Sequence, residues 1–261
     1  MGKSFMAAGF LALSMVSAAK GAVIAYDGFD YTAGSSLLGQ NGGTGNWTGA
    51  WAVHQGNNAT IGSLNLSYAG LGTSPGKSIA AGGYKDVTRR FSSTAITTGT
   101  FYVSTVMQWS TATQNQYVMR MHKTGTAATD ADTSSMAFGI IDSKPVITSG
   151  YSTAVATGPT AYSINTPHLL VAKVNLDTKT VSLFVDPISG SPEPAADVSF
   201  TFASMTGMGG ITPTDLGWGR TTVDELRIGN TFADVTAVPE PAVASVLGLM
   251  SISLLTRRRR A

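Results

Sequence analysis

Apolar and polar residues alternate with a period of two in many short stretches, a pattern typical of β-strands with one buried face. The strongest run spans 100–109, in which Phe101, Val103 and Met107 share one face. Helical periodicity is not convincing anywhere in the body of the chain. Further strands are predicted at 23–26, 60–68, 87–91, 117–122, 137–141, 146–149, 198–202, 216–219 and 223–228.

The clearest hairpin is predicted from two alternating runs, 168–176 and 181–185, which flank the turn residues 177–179. The chain contains 30 glycines and only 12% charged residues, a composition that suits short strands joined by turns and not a helical bundle. We therefore predict an all-β fold: a two-sheet antiparallel jelly-roll sandwich.

The first 22 residues are predicted to be a signal peptide. Lys3 supplies the positive start, 5–16 is an apolar stretch too short to span a membrane, and small residues follow at 17–19 and 21–22. Cleavage fits after residue 19 or after residue 22, and an uncut membrane anchor is the alternative. Export by this route implies the Sec translocon and signal peptidase as partners.

The C-terminus combines three features. Pro239, Glu240 and Pro241 precede an apolar run over 242–256, which is short for a spanning helix, and four arginines follow. The prolines keep the glutamate extended and outside the helix. Arginines after an apolar run stop transfer and stay on the cytoplasmic side. They are Arg257, Arg258, Arg259 and Arg260.

This three-part tail, 238–261, resembles the PEP-CTERM sorting signal. The resemblance implies recognition of Pro239, Glu240 and Pro241 by an exosortase, a membrane-embedded enzyme of Gram-negative bacteria that make exopolysaccharide. It also implies a transient inner-membrane anchor, followed by delivery to the cell surface or extracellular matrix. The alternative is an ordinary tail anchor that is never cut.

The remaining body, 23–237, has 11 basic and 14 acidic residues, so the chain's formal charge of +2 arises from its two ends. A nucleic-acid-binding domain would carry a basic patch in its folded part, so nucleic acid is not expected as a partner. The absence of cysteine excludes a disulfide framework, and the apolar core must supply the stability.

The body also resembles laminin-G-like, concanavalin-A-like domains of surface proteins. The resemblance spans roughly 24–236 and implies a jelly roll whose first and last strands are neighbours. Its motifs are short and support the fold better than any activity. They lie at 26–31 (YDGFDY), 39–43 (GQNGG), 46–51 (NWTGAW), 168–174 (HLLVAKV), 181–187 (VSLFVDP) and 223–229 (VDELRIG).

A glycosidase site would need paired carboxyl groups, and the body has glutamate only at Glu193 and Glu225. Glu193 lies between prolines, and Glu225 follows Asp224, so the two neighbours are expected to face opposite sides of a strand. A hydrolase is therefore disfavoured, while a lyase site based on Asp, Tyr or His stays open. The histidines, at positions 54, 122 and 168, lack metal-ligand spacing.

Calcium is the one cofactor considered, because laminin-G-like domains sometimes hold it with loop oxygens. Asp130 and Asp132 lie in a polar loop, and Asp27 and Asp30 lie near the start of the body. The consensus calcium loop with its closing glutamate is missing, and solvated turn residues are the favoured interpretation.

Trp47 and Trp51 are candidates for glycan contact, because they lie in a loop rich in Gly, Asn and Thr. Trp109 and Trp218 are secondary candidates. The favoured interpretation for each ring is a place in the core or over a sheet edge, since Trp is highly buried on average. The sequence thus favours a non-catalytic surface or matrix protein that binds extracellular polysaccharide; a polysaccharide hydrolase or lyase and a purely structural coat protein are the alternatives.

Overall fold

The structure is a computed structural model that describes residues 23–56, 59–71, 76–80, 85–91, 96–112, 116–122, 136–150, 153–205, 207–215 and 221–236. Sixteen strands and one short helix are assigned in these residues. The strands are Val23–Asp27 (β1), Thr44–Gly45 (β2), Trp47–Gly56 (β3), Thr60–Ile61 (β4), Ile79–Ala80 (β5), Lys85–Phe91 (β6), Thr100–Trp109 (β7), Gln116–His122 (β8), Met136–Ile141 (β9), Lys144–Ser149 (β10), Thr153–Thr157 (β11), His168–Asn175 (β12), Thr180–Val185 (β13), Val198–Thr201 (β14), Gly210–Asp215 (β15) and Thr221–Gly229 (β16), and the helix is Phe232–Thr236 (α1).

The strands form two antiparallel sheets. The nine-stranded sheet has the order β14-β13-β12-β7-β16-β1-β2, with β5 also paired to β16 and β4 to β5. The seven-stranded sheet has the order β11-β10-β9-β8-β15-β6-β3. This arrangement confirms the predicted jelly-roll sandwich. The first and last strands are neighbours as expected, with Tyr26 opposite Arg227.

Side chains that alternate along the strands fill the space between the sheets. Phe101, Val103 and Met107 of β7 are fully buried there, as the periodicity predicted. The seven-stranded sheet contributes Met119, Met121, Phe138, Ile140, Ile147 and Ile211. Burial of this continuous apolar surface is the main stabilising contribution in a chain without cysteine.

The predicted hairpin is confirmed. Leu170 lies opposite Val185 and Asn175 opposite Thr180, so the two arms stay in register to the turn. Lys179 adopts a left-handed φ of 58°, which lets the chain reverse in a short connection.

A second apolar layer covers part of the outer face of the nine-stranded sheet. Its sheet residues pack beneath α1 and beneath the 62–71 segment, and its members are Leu66, Leu71, Tyr102, Val106, Leu169, Val171, Phe184, Phe232 and Val235. The strand predicted over 60–68 is therefore wrong beyond Ile61. Leu66 donates its backbone N–H to the Asp224 carboxylate instead of to a strand partner.

Helix α1 was not predicted, and a short sequence signal for it exists. Thr231 and Asp234 form a capping box: the Asp234 N–H donates to the Thr231 hydroxyl, and the Thr231 N–H donates to the Asp234 carboxylate. The apolar Phe232 and Val235 then face the sheet. A helix of five residues is too short to show a 3.6-residue period.

Other differences concern the seven-stranded sheet. The segment around Trp47 and Trp51, expected as a loop, belongs to the edge strand β3, and the edge strand β11 and the inner strand β15 were also missed. The strand predicted at 216–219 lies outside the described residues, as do the signal peptide and the 238–261 tail. In the described ranges, no helix has the length and apolar character to cross a membrane.

Candidate functional site

The structure places Trp51 in the core between the sheets, with 1% of its surface exposed. Its ring lies 5.9 Å from the ring of Phe29, and its indole N–H donates to Asp27 at 2.9 Å. A sugar-stacking platform needs an open ring face, and Trp51 has none. The β-strand assignment explains the burial, because β3 turns this residue towards the core.

Trp47 is partly buried beside it. Its indole N–H donates to the Tyr26 carbonyl at 3.1 Å, and the Arg89 guanidinium lies 4.8 Å from its ring centroid. One side of the ring is thus engaged in a cation–π contact within the protein. The ring centroids of Trp47 and Trp51 lie 6.3 Å apart, so the two rings pack as a structural pair.

Asp27 is the centre of this arrangement. It is fully buried and accepts hydrogen bonds from Arg89 Nη1 at 2.6 Å, the Tyr31 hydroxyl at 2.8 Å and the Phe29 N–H at 2.9 Å, besides Trp51. Burial and the nearby carboxylate raise the pKa of Tyr31 well above its usual range, so its hydroxyl stays a donor. The oxygens of Asp27 are committed to these donors and not to a metal.

The other calcium candidates named from the sequence are Asp30, Asp130 and Asp132. Asp30 is exposed, and Asp130 and Asp132 lie outside the described residues. Within the described part of the chain, no group of three or more His, Asp or Glu side chains could hold a metal ion. Calcium binding by Asp130 and Asp132 stays a prediction.

Asp224 and Glu225 occupy a β-bulge in β16. The register with β7 shifts between Asp224 and Arg227, and Glu225 has a φ of 55°. Glu225 is 1% exposed; it accepts hydrogen bonds from Arg227 at 2.7 Å and from the Tyr26 hydroxyl at 3.1 Å. The bulge overrides the simple alternation that was expected to place the two carboxyl groups on opposite faces.

Asp224 is fully buried, and its two oxygens accept the backbone N–H groups of Leu66 and Glu225. Burial raises its pKa to about 8, with further contributions from the charges of Glu225 and Asp27, against the lowering effect of these hydrogen bonds. Both carboxyl groups are buried: Asp224 ties Leu66 of the covering loop to β16, and Glu225 contacts Tyr26 of the neighbouring strand β1 and Arg227.

His168 occupies a buried position between Trp109 and Tyr162. Its Nδ1 lies 2.6 Å from Asp186, while its Nε2 lies 2.9 Å from the Ser163 carbonyl and 3.3 Å from the Ser163 hydroxyl. The elements of a Ser-His-Asp triad are present, but the carbonyl is the nearer partner of Nε2 and requires an N–H there.

Burial lowers the pKa of His168, but the hydrogen bonds to Asp186 and to the Ser163 carbonyl outweigh it, and the net shift is upward. An imidazolium donates from both nitrogens, so this histidine clamps the 162–168 segment to Asp186. It is not poised as a general base. His122 is buried on β8, and the side chain of His54 lies outside the described part.

The outer face of the nine-stranded sheet has a second, polar half beyond α1. Two rows of side chains cross β7, β12, β13 and β14 there, as the strand register shows. The first row is Thr100, Asn175, Thr180 and Thr201, and the second is Tyr102, Lys173, Ser182 and Ser199. We call these eight residues the polar field.

A loop, 190–196, crosses the polar field and is called the strap. Its Glu193 accepts hydrogen bonds from Lys173 Nζ at 2.8 Å and from the Tyr102 hydroxyl at 2.6 Å. The Lys173 ammonium also lies 5.7 Å from the Tyr102 ring centroid. Pro192 and Pro194 restrict the backbone on both sides of Glu193, which favours a fixed loop.

The strap leaves an open cleft on each side. The first cleft, of about 440 Å³, lies between the strap and the start of α1 and includes Thr100 and Asn230. The second, of about 450 Å³, lies over β12 and β13 and includes Asn175, Thr180 and Ser182. Lys173 and Glu193 line both clefts.

Sequence reasoning identified none of the polar field as a site. Single Ser, Thr, Asn and Lys residues on strands are ordinary solvent-facing residues when only the alternation is known. Their significance depends on strand order, since β7 and β12 are separated by about 60 residues, and on the strap that folds back over them.

No protein-family model matches the chain, and no curated protein matches its sequence. Solved structures resemble it at low sequence identity and with TM-scores below 0.5. A structure from endo-acting O-glycanases of human gut microbiota that initiate mucin breakdown matches with a TM-score of 0.47 and 13% identity, over 80% of this chain and 100% of that chain.

Two other similar structures are a lectin and a toxin domain. Lectin II from Ulex europaeus matches with a TM-score of 0.43 and 7% identity, over 66% of this chain and 89% of that one. The binding domain of botulinum neurotoxin serotype C1 matches with a TM-score of 0.42 and 10% identity, over 67% of this chain. The match spans less than half, 44%, of that toxin chain.

Proposed function

We propose that this chain is an exported, non-catalytic carbohydrate-binding protein of the cell surface or extracellular matrix. The observation that supports the proposal is the polar field, which the strap crosses and which has an open cleft on each side of the strap. The site lies here and not at Trp47 and Trp51, whose rings are engaged inside the protein.

The chemistry of the clefts suits sugars. A glycan presents many hydroxyl groups, each of which both donates and accepts hydrogen bonds, and it is recognised by dense polar groups at fixed positions. Asn175, Thr180 and Ser182 supply such groups from rigid strands in the second cleft. The volumes of both clefts fall in the range of about 300–1,000 Å³ that is usual for small-molecule sites.

The carboxyl groups support a binding role over catalysis. Retaining glycosidases hold two carboxyl groups about 5–5.5 Å apart beside the substrate. Glu225 is buried with Arg227, and Glu193 is held by Lys173 and Tyr102. Neither glutamate has a second carboxyl group beside it in an open cleft among the described residues.

Placement at the surface is part of the proposal and depends on the tail. Pro239, Glu240 and Pro241 are taken as the exosortase recognition motif, 242–256 as a transient inner-membrane helix, and Arg257–Arg260 as its cytoplasmic stop. The strap carries the same Pro-Glu-Pro triplet at 192–194 without an apolar run behind it, and its Glu193 is engaged on the sheet. The triplet alone is therefore not the signal.

The proposed binding is tested with the purified full-length chain on a glycan array that includes the exopolysaccharide of the producing cells, with and without Ca²⁺. We expect saturable binding to a subset of glycans and no release of reducing ends from any of them. Sugar release would show a polysaccharide-acting enzyme. An array without any binding would overturn the proposal in favour of a structural coat protein.

A further inference from the structure

Among the described residues that line the two clefts, the charged ones are Lys173 and Glu193. They lie on the ridge between the clefts and form an ion pair with 2.8 Å between Nζ and Oε1. Their side chains are 32% and 29% exposed, so a ligand in either cleft would contact the pair. The remaining lining residues contribute hydroxyls, amides, aromatic edges and aliphatic carbons.

The contacts of the pair favour the protonated forms of Lys173 and Tyr102. The hydrogen bond from Lys173 to Glu193 raises the pKa of Lys173, which therefore remains charged. Burial, with the hydrogen bond to Glu193, raises the pKa of Tyr102, which therefore remains a neutral donor to the carboxylate. Each cleft thus presents one positive and one negative group with no net charge.

We infer that the ligand is an uncharged glycan, laid as a short chain across both clefts over the Lys173–Glu193 pair. This inference rests on the proposed carbohydrate-binding function and adds the chemical class of the ligand. The hydroxyls of a neutral sugar accept from the free donors of the Lys173 ammonium and donate to Glu193 without breaking the pair.

Charged glycans fit this site less well. A uronate or sulfate that approaches Lys173 meets the carboxylate of Glu193, and juxtaposed like charges oppose binding. A cationic amino sugar meets Lys173 in the same way. The ion pair would thus give specificity by repelling charged sugars of either sign.

The test uses neutral glucan, mannan and galactan oligosaccharides on an array, each beside a counterpart in which the primary hydroxyl at C6 is oxidised to a carboxylate. The full-length chain is measured in about 20 mM and about 500 mM NaCl, concentrations at which the screening length differs several-fold. We expect the neutral members to bind, with less than about a twofold change between the two salts.

The variant Glu193→Gln removes the negative partner and keeps the shape of the side chain. We expect it to gain binding to the oxidised glycans, with an affinity that falls at least about tenfold at the higher salt. The charge-swapped double variant, Lys173→Glu with Glu193→Lys, restores a balanced pair and is expected to prefer neutral glycans again.

Three outcomes distinguish a failure of the inference about an uncharged ligand from a failure of the proposed carbohydrate-binding function. Tighter binding of oxidised glycans by the unmodified chain, with strong salt dependence, would overturn the inference and leave the carbohydrate-binding function intact. If Glu193→Gln kept the preference for neutral over oxidised glycans, the ion pair would not be part of the binding site, which would also overturn the inference. Absence of binding to every glycan would contradict the proposed function itself.

Discussion

The hydrogen bonds to Asp27 link both sheets at the level of single residues. Asp27 belongs to β1 of the nine-stranded sheet, and Arg89 and Trp51 belong to β6 and β3 of the seven-stranded sheet. Arg89 also donates to the Asn41 side chain and the Gly49 carbonyl, so its charge is compensated within the fold. Removal of one partner leaves a buried charge, which is costly.

We predict that Asp27→Ala lowers the free energy of unfolding by roughly 3–5 kcal/mol, because Arg89 would remain buried without its carboxylate. Urea denaturation followed by tryptophan fluorescence measures the change. Asp30→Ala is the matched control on the same segment; its side chain is exposed, and the expected change is within about 0.5 kcal/mol. Equal effects of the two substitutions would contradict the structural role of Asp27.

Asp224 makes stability depend on pH. Its pKa is about 8 in the folded chain against an ordinary value of 3.8, so the folded state binds more protons between these values. The stability that the proton confers is complete below about pH 4 and is lost as the pH rises towards 8. Unfolding in urea at a series of pH values should show this decline.

Asp224→Asn cannot titrate and isolates this contribution. The variant is expected to be less stable than the unmodified chain at low pH, where Asp224 is protonated, since its amide replaces one acceptor of two backbone N–H groups. Its stability should, however, change less between pH 5 and 8 than that of the unmodified chain. An equally steep decline in both proteins would place the pH dependence at another group.

At the level of elements, α1 is held to the nine-stranded sheet by apolar contacts and by close backbone approach. The Phe232 ring packs edge-on against Tyr102 and Phe184, at centroid distances of 6.1 Å and 5.6 Å. Gly229 lies so close to Asp234 that a Cβ at that position would collide with it. Residues of α1 line one side of the first cleft, so the packing of this helix on the sheet helps to shape the proposed binding surface.

We predict that Phe232→Ala lowers the free energy of unfolding by about 3 kcal/mol, through lost burial and the cavity left under the helix. Thermal and urea denaturation of the full-length chain measure the loss. Ala233→Ser, at an exposed position one residue further along the same helix, is the control and should change stability by less than about 0.5 kcal/mol. A negligible effect of Phe232→Ala would show that α1 is not docked.

The strands that the sequence predicted best have strict alternation and long-range partners of similar length, such as β7, β12 and β13. The failures have physical causes. Residues 62–68 form a covering loop in which Leu66 and Tyr68 reach the sheet while Leu64 is 52% exposed, and Asp224 fixes Leu66. Glycine-rich composition concealed β3, in which Gly49, with a φ of 74°, lies within the first of two register shifts against β6.

At the scale of the whole molecule, the two proposed functions of the chain, glycan binding and sorting, are separated along its length. The described sandwich ends at Thr236, which is fully buried at the end of α1, and the predicted sorting motif begins three residues later at Pro239. Three residues span at most about 11 Å when extended, so processing at the motif would occur beside the folded domain.

The sorting hypothesis predicts that mature protein from cells with active exosortase lacks residues 242–261. Intact-mass measurement of the purified protein checks this directly. Glu240→Ala should retain the tail, because it removes the only acidic residue of the motif, whereas Glu193→Ala in the strap should be processed normally. Retention of 242–261 in the unmodified protein would contradict exosortase processing.

Binding of a glycan in the two clefts beside the strap is the central claim, and two neighbouring serines test it most directly. Ser182 and Ser199 lie opposite each other on β13 and β14, with their hydroxyls 2.8 Å apart, and only Ser182 lines a cleft. Isothermal titration with the best neutral glycan would compare Ser182→Phe with Ser199→Phe, since phenylalanine is well tolerated on strands. We predict that Ser182→Phe fills the second cleft and weakens binding at least about tenfold, while Ser199→Phe changes it by less than about twofold. Unchanged affinity in Ser182→Phe would contradict the account.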